Sequence, residues 1–279
     1  MTTRSTLLRP VAVALDAFGR RPVLPLLILV GLVCLWQALA QLDQSRIKVI
    51  PAPSEIAAAA WRTQETLLTR HIPATLLVTA LGTGIAVAFG LVVATALDFS
   101  PLLRRAVYPL LIASQTIPTI ALATILVMIF GFALLPKVIV VVLFCFFPVM
   151  VNTIDGLAAT DPDLLALLRS MGATSWQRWR MVRFPAALPS FFSGLRVAMT
   201  YSVTGAITSE YVMGSQDGLG QYLRAAYQSG KTDQAFAAIA IVALLSIALV
   251  LIVSAVERLA LPWFFSQARS THWNEPGIY

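Results

Sequence analysis

Long apolar runs alternate with short polar segments along the whole chain. Six of these runs come close to or exceed the ~20 residues that a helix needs to cross a bilayer. They lie at about 23–42, 74–97, 106–130, 136–157, 190–213 and 234–261. The pattern predicts an all-α integral membrane protein with six transmembrane helices. It forms one membrane domain over 23–261, with tails at 1–22 and 262–279 and a long loop at 158–189. In the polar segment 43–73, the stretch PAPSEIAAAAW reads as a surface helix starting at Pro53, with Ser54 at its cap. Gly82, Gly84 and Gly90 in the second span offer places for close helix approach.

The polar interruption with the most internal design is DPDLLALLRSMGATSWQRWRMVRFPAALP, from Asp161 to Pro189. Asp161 followed by Pro162 is a helix start, because a carboxylate can cap the first turn and proline loses no hydrogen bond there. Leu164, Leu167, Leu168 and Met171 recur at i, i+3, i+4 and i+7, which makes one apolar face. Gly172 ends this helix, and Thr174 or Ser175 caps a second, short one that carries Trp176 and Trp179. Arg178, Arg180 and Arg183 stud the second helix, and Phe184-Pro185 closes it. Two short amphipathic helices around a glycine, set between spans, suit a docking element. An ordinary amphipathic loop fits the spacing equally well.

Composition fixes the solvent. The chain is 58% hydrophobic and 12% charged over 279 residues, with mean hydropathy +0.81. A soluble domain carries about 25% charged residues, so most of this surface must face lipid or other helices. The net charge of +7 therefore speaks to topology rather than to nucleic acid, since no basic cluster is interleaved with aromatics. With the N-terminus inside, thirteen of the twenty Lys and Arg fall on the inner side and seven on the outer. Both termini and the 158–189 loop are then expected in the cytoplasm. Cys34 and Cys145 lie inside apolar spans, where they read as buried small hydrophobes.

Catalytic chemistry finds little footing. Gly230-Lys231-Thr232 imitates part of a phosphate loop, but Ala225 stands where its first glycine belongs. His71 and His272 lie in separate loops with no metal-ligand spacing. Polar residues inside spans are more informative, because lipid penalises them unless they face a cavity or one another. Glu210 in span five reads as a lining group of a substrate path, or as a helix-packing carboxylate. Gln115 and Thr116 before Pro118 read as a kinked gate or a plain proline kink. Tyr201, Ser202, Thr204 and Thr208 suit either substrate contact or hydrogen bonds between helices. Asn152 with Asp155 suits anchoring, and Arg196 is expected to snorkel to the inner face.

The loop is similar to the signature loop of ABC-importer permeases, E-A-A-x3-G-x9-I-x-L-P. Gly172 meets the glycine, Val182 the isoleucine and Phe184-Pro185 the closing pair, whereas Ala166-Leu167-Leu168 replace Glu-Ala-Ala. Further stretches resemble the nitrate/taurine/sulfonate branch: PAPSE, SQTIP, FFPVMVNTIDGL, FPAALPSFFSGLRVA, DGLGQYLRAA and KTDQAFAAI. Several look most like the sub-branch linked to pyrimidine precursors of thiamine. The resemblance implies the type I importer permease fold in a bacterial inner membrane, with a homodimer supplying the two halves of the pathway. It implies two ATPase subunits that hold ATP and Mg, an extracytoplasmic binding protein, and no cofactor or catalysis on this chain. It places ATPase coupling on Leu168, Arg169, Met171, Gly172, Ala173, Thr174, Trp176 and Trp179. The pathway then falls to Gln115, Thr116, Pro118, Tyr201, Thr204 and Glu210. An ion-coupled secondary transporter and a non-transporting assembly subunit are the competing classes; the first would usually show internal repeats, and none is visible.

Overall fold

A computed structural model describes residues 23–42, 49–214 and 216–264. All regular structure among them is helical. The chain runs through α1 (Val23–Leu42), α2 (Pro53–Arg62), α3 (Gln64–Phe99), α4 (Pro101–Ser114), α5 (Thr119–Phe130) and α6 (Leu134–Ala158). It continues through α7 (Pro162–Ser170), α8 (Ser175–Arg178), α9 (Phe184–Met213), α10 (Leu219–Gln228) and α11 (Thr232–Ala260). Wide, π-type turns at Leu67–His71 and Trp179–Arg183 carry the chain into the long parts of α3 and α9.

Lipid gives helices no hydrophobic reason to associate, so close packing must hold them. Glycine supplies it around α6. A Cβ on Gly82 of α3 would come within 2.5 Å of Val141, and one on Gly90 within 3.2 Å of the Phe146 carbonyl. On the other side, a Cβ on Gly194 of α9 would meet the Pro148 carbonyl at 2.6 Å, and one on Gly205 would meet Phe144 at 2.9 Å. Gly156 of α6 returns the contact against Ala187 and Ser190. Between these contacts lie Ala86, Val141, Cys145, Met150 and Ala198, all buried. The core is therefore a three-helix sandwich of α3, α6 and α9.

Among the described residues, four helices are long and apolar enough to cross a membrane, and five if the bent pair α4–α5 counts as one span. The expected fifth span, α9, has the length at 30 residues but is rich in Ser, Thr, Tyr and Gly. It touches α3, α5, α6, α10 and α11, so it needs less apolar surface than a peripheral helix. The expected span 106–130 requires a correction. It begins at Pro101, capped by the Ser100 hydroxyl, and breaks at Gln115–Pro118 with a 90° bend. Ser114 and Thr116 donate back to the carbonyls of Leu111 and Ala113, both at 2.7 Å. Pro118 brings no N–H to continue the ladder.

Smaller expectations also change. Ala52, not Ser54, occupies the cap of α2, and the Glu55 carboxylate accepts from its N–H at 2.9 Å. Ser54 instead exchanges two hydrogen bonds with Gln37, tying α2 to α1. Cys145 is buried as expected, whereas Cys34 is exposed on the open flank of α1.

The glycine contacts carry a direct test. Gly194→Val should lower the stability of the detergent-solubilised protein by about 1–3 kcal/mol through overpacking. Gly84→Val, where a Cβ meets open space, should leave the melting temperature nearly unchanged. Equal melting temperatures would contradict the sandwich.

Candidate functional site

The 158–189 loop is built by local hydrogen bonds before any packing. Asp161 Oδ1 accepts from the Asp163 N–H at 2.8 Å and starts α7. The helix ends on Gly172 at φ +80°, a conformation that L side chains resist. There the Ala173 N–H reaches the Leu168 carbonyl and the Gly172 N–H the Arg169 carbonyl, both at 3.0 Å. This crossed pair is a Schellman ending. Thr174 then caps α8 reciprocally: its hydroxyl accepts from the Gln177 N–H, and Gln177 Oε1 accepts from the Thr174 N–H.

Packing fastens the loop to the bundle. The Trp176 and Trp179 rings stack at 5.0 Å and 12°. Trp179 also lies 5.0 Å from Phe184, and Phe99 at the end of α3 meets both tryptophans at 6.0–6.4 Å. Beside this ladder, Arg183 Nη1 pairs with Asp98 Oδ2 at 2.8 Å, and its Nη2 donates to the Leu157 carbonyl at 3.2 Å. The Asp98 side chain is only 6% exposed. Charge pairs at such low exposure are costly to break, since the remaining partner stays buried.

What remains open is an apolar edge. Leu164, Leu167 and Met171 face outward along α7, with Met171 74% exposed. Of the residues expected to couple to an ATPase, Met171 and Gly172 sit on this exposed surface. Thr174 serves as a cap, while Leu168 and Ala173 are half-buried. Trp176 is exposed on one side and stacked on the other, and Trp179 turns inward.

The expected pathway residues separate into two groups. Gln115, Thr116 and Pro118 lie exposed at the 90° bend, and Tyr201 and Thr204 lie on an exposed stripe of α9. Glu210 stands apart, 1% exposed. Thr75 Oγ1 lies 2.9 Å from both of its oxygens, and the Gly220 N–H donates to Oε2 at 2.9 Å. The Leu219 N–H donates in turn to Thr75 Oγ1 at 2.8 Å. Gly218, at φ +121°, packs so closely that a Cβ there would fall 2.3 Å from the carboxylate carbon. Glu210 thus clamps the Asp217–Gly220 turn onto α3 and α9. Next to this clamp, Tyr222 shares a 2.8 Å hydrogen bond with Thr63, and burial pushes the pKa of its hydroxyl up.

Sequence reasoning missed two acidic partners. Asp98 holds the loop, and Glu257 of α11 pairs with Arg196 of α9. Arg196, expected to snorkel, makes this interhelical pair. A carboxylate near a span end, with an arginine at similar depth on another span, is the signal that could have found both.

Comparison with known proteins gives the family of the chain. The sequence profile described as "Binding-protein-dependent transport system inner membrane component" matches residues 86–265. The chain is 37% identical over 239 residues to the formylaminopyrimidine transport permease protein ThiX of Halalkalibacterium halodurans, covering 86% of this chain and 95% of that protein. It is 33% identical to the riboflavin transport system permease protein RibX of Chloroflexus aurantiacus, covering 87% and 89%. It is 28% identical to the putative aliphatic sulfonates transport permease protein SsuC of Bacillus subtilis, covering 83% and 84%.

Two substitutions probe the two ends of the bundle. Arg183→Ala leaves Asp98 without its partner and should cost about 1–3 kcal/mol. Trypsin should then cut faster after Arg178 and Arg180, and an unchanged cleavage rate would contradict the fastening. Glu210→Ala strands the Gly220 N–H and should cost a similar ~1–3 kcal/mol. Its readout is faster hydrogen exchange confined to Gly218–Tyr222, and unaltered protection would contradict the clamp.

Proposed function

The chain belongs to the binding-protein-dependent transport system inner membrane component family, and on that premise we propose how its residues divide the work of an ABC importer. As a permease subunit of such an importer it moves small solutes and is not itself an enzyme. ATP hydrolysis falls to the ATPase partner, and a solute-binding protein delivers the cargo. The 158–189 loop is the ATPase-docking element, with Leu167, Met171 and Gly172 at the contact. The observation that carries this reading is the loop's build: a capped helix, a left-handed Gly172 and an exposed apolar edge, all fastened through Arg183 and Asp98. A short helix in a partner's groove transmits movement only when its own base is firm.

Two copies of the chain complete the pathway, each contributing the exposed stripe with Tyr201 and Thr204 and the bend at Gln115, Thr116 and Pro118. The loop and both termini face the cytoplasm, as the arginine bias supports. The membrane domain spans 23–261, with cytoplasmic tails on either side. The cargo is a small polar or anionic solute. A pyrimidine precursor of thiamine is the best candidate, supported by the identity to a formylaminopyrimidine permease. A sulfonate, taurine or nitrate-like anion is the alternative, supported by the sulfonate-permease relative.

The test is uptake in proteoliposomes holding the chain, its ATPase and its binding protein. Gly172→Pro forbids the left-handed backbone and removes the Gly172 N–H, so ATP-driven uptake should fall to background while membrane insertion persists. Met171→Asp should do the same by placing a charge in an apolar contact. Uptake at the wild-type rate from either variant would refute the docking assignment.

A further inference from the structure

Between the loop and the end of α3 lies a cavity of about 180 Å³. Three arginines line it, Arg169, Arg178 and Arg183, against one carboxylate, that of Asp98. Asp98 is already engaged by Arg183 Nη1. Arg178 Nη2 donates to Ser175 Oγ at 3.0 Å, and that hydroxyl brings no charge. Among the described residues, two buried donors at the same place have no hydrogen-bond acceptor, Arg183 Nε and Trp179 Nε1, and Asp98 Oδ2 is held by its ion pair with Arg183 without an aligned hydrogen bond. The carboxylates of Asp161 and Asp163 lie on α7 without lining the cavity. Ala166, where the loop pattern has glutamate, contributes none. A buried polar group without a partner is costly, and a net positive cavity with surplus N–H donors calls for an oxyanion.

The depth of the cavity narrows the ligand. It opens where the apolar length of α3 ends at Phe99, next to the Trp176–Trp179 stack. Amphipathic aromatic rings concentrate at the level of lipid headgroups. Basic pockets between helices at a membrane face bind phosphate headgroups. We propose that this cavity binds a phosphate group, from an anionic phospholipid or as the free ion, through Arg169, Arg178, Arg183 Nε and Trp179 Nε1. A bound phosphate would bridge α7, α8 and the root of α9, and so stiffen the loop.

The test uses the purified full chain in detergent, with native mass spectrometry and melting temperature as readouts. Phosphatidylglycerol, phosphatidylcholine and inorganic phosphate are titrated separately. The wild type should retain phosphatidylglycerol at least tenfold better than phosphatidylcholine. The Arg169→Ala/Arg178→Ala double variant should lose most of that preference, and Arg178→Gln part of it. Arg180→Ala removes the same charge from the same loop outside the cavity and should keep the full preference. Stabilisation by inorganic phosphate alone, lost in the double variant, would support the site and name the free ion as its ligand. Equal retention of both lipids with no phosphate effect would overturn the proposal. So would a double variant that retains lipid like the wild type but no longer holds its ATPase, which would give the arginines to a protein partner.

Discussion

The Asp98–Arg183 pair is the contact on which the use of this bundle depends. It joins the last turn of α3 to the turn entering α9, two of the three core helices, at the point where the 158–189 loop leaves the membrane domain. With the Phe99–Trp176–Trp179–Phe184 ladder beside it, the pair leaves the loop little independent motion. For the docking role proposed above, a slack linker would dissipate a pull, whereas a seat on α3 and α9 would pass it to the core. Burial makes the pair sensitive, because loss of Arg183 leaves the Asp98 carboxylate, 6% exposed, as a stranded charge.

The far end of the bundle repeats the logic with different groups. Glu210 gathers Thr75 and the Gly220 N–H, closing the Asp217–Gly220 turn over α3 and α9. The same two helices are therefore tied at both ends, with glycine contacts against α6 between them. If the loop docks an ATPase as proposed, its movement reaches the far surface through this tied body. The exposed polar stripe of α9 and the open bend between α4 and α5 lie on the flanks of this body, free for the second copy of the proposed dimer. A carboxylate held this tightly has little freedom to serve as a coupling-ion site, which weakens the secondary-transporter reading.

Much of this was legible in the residues. Asp161-Pro162, Gly172 and the Thr174-Ser175 pair announce the loop's two helices because capping is local chemistry, and the structure selects Thr174 as the cap. The apolar runs announced the membrane domain because lipid leaves no alternative. The sharp break at Gln115–Pro118 was harder, since the apolar run continues across it and Pro118 alone suggests only a kink; the back-bonding of Ser114 and Thr116 completes the break. Glu210 reads as an intramembrane carboxylate, but its partners, Thr75 and Gly220, come from segments whose meeting no spacing reveals. Asp98 and Glu257 do not stand out in the sequence, because each sits near a span end, where a charge normally meets water. Pairing across helices is a tertiary fact.

The most direct test is a distance measured between two spin labels, on Ser170→Cys in α7 and Val92→Cys in α3, with the exposed Cys34 replaced by Ser. The chain is reconstituted with its ATPase, and pulsed electron resonance reads the distance without nucleotide and with ATP bound. A narrow distribution that stays the same in both states, while distances between the two permease copies change, is the expected result for a loop that moves as one body with α3. A loop-to-span distance that shifts with nucleotide while the distances between copies stay fixed would contradict it.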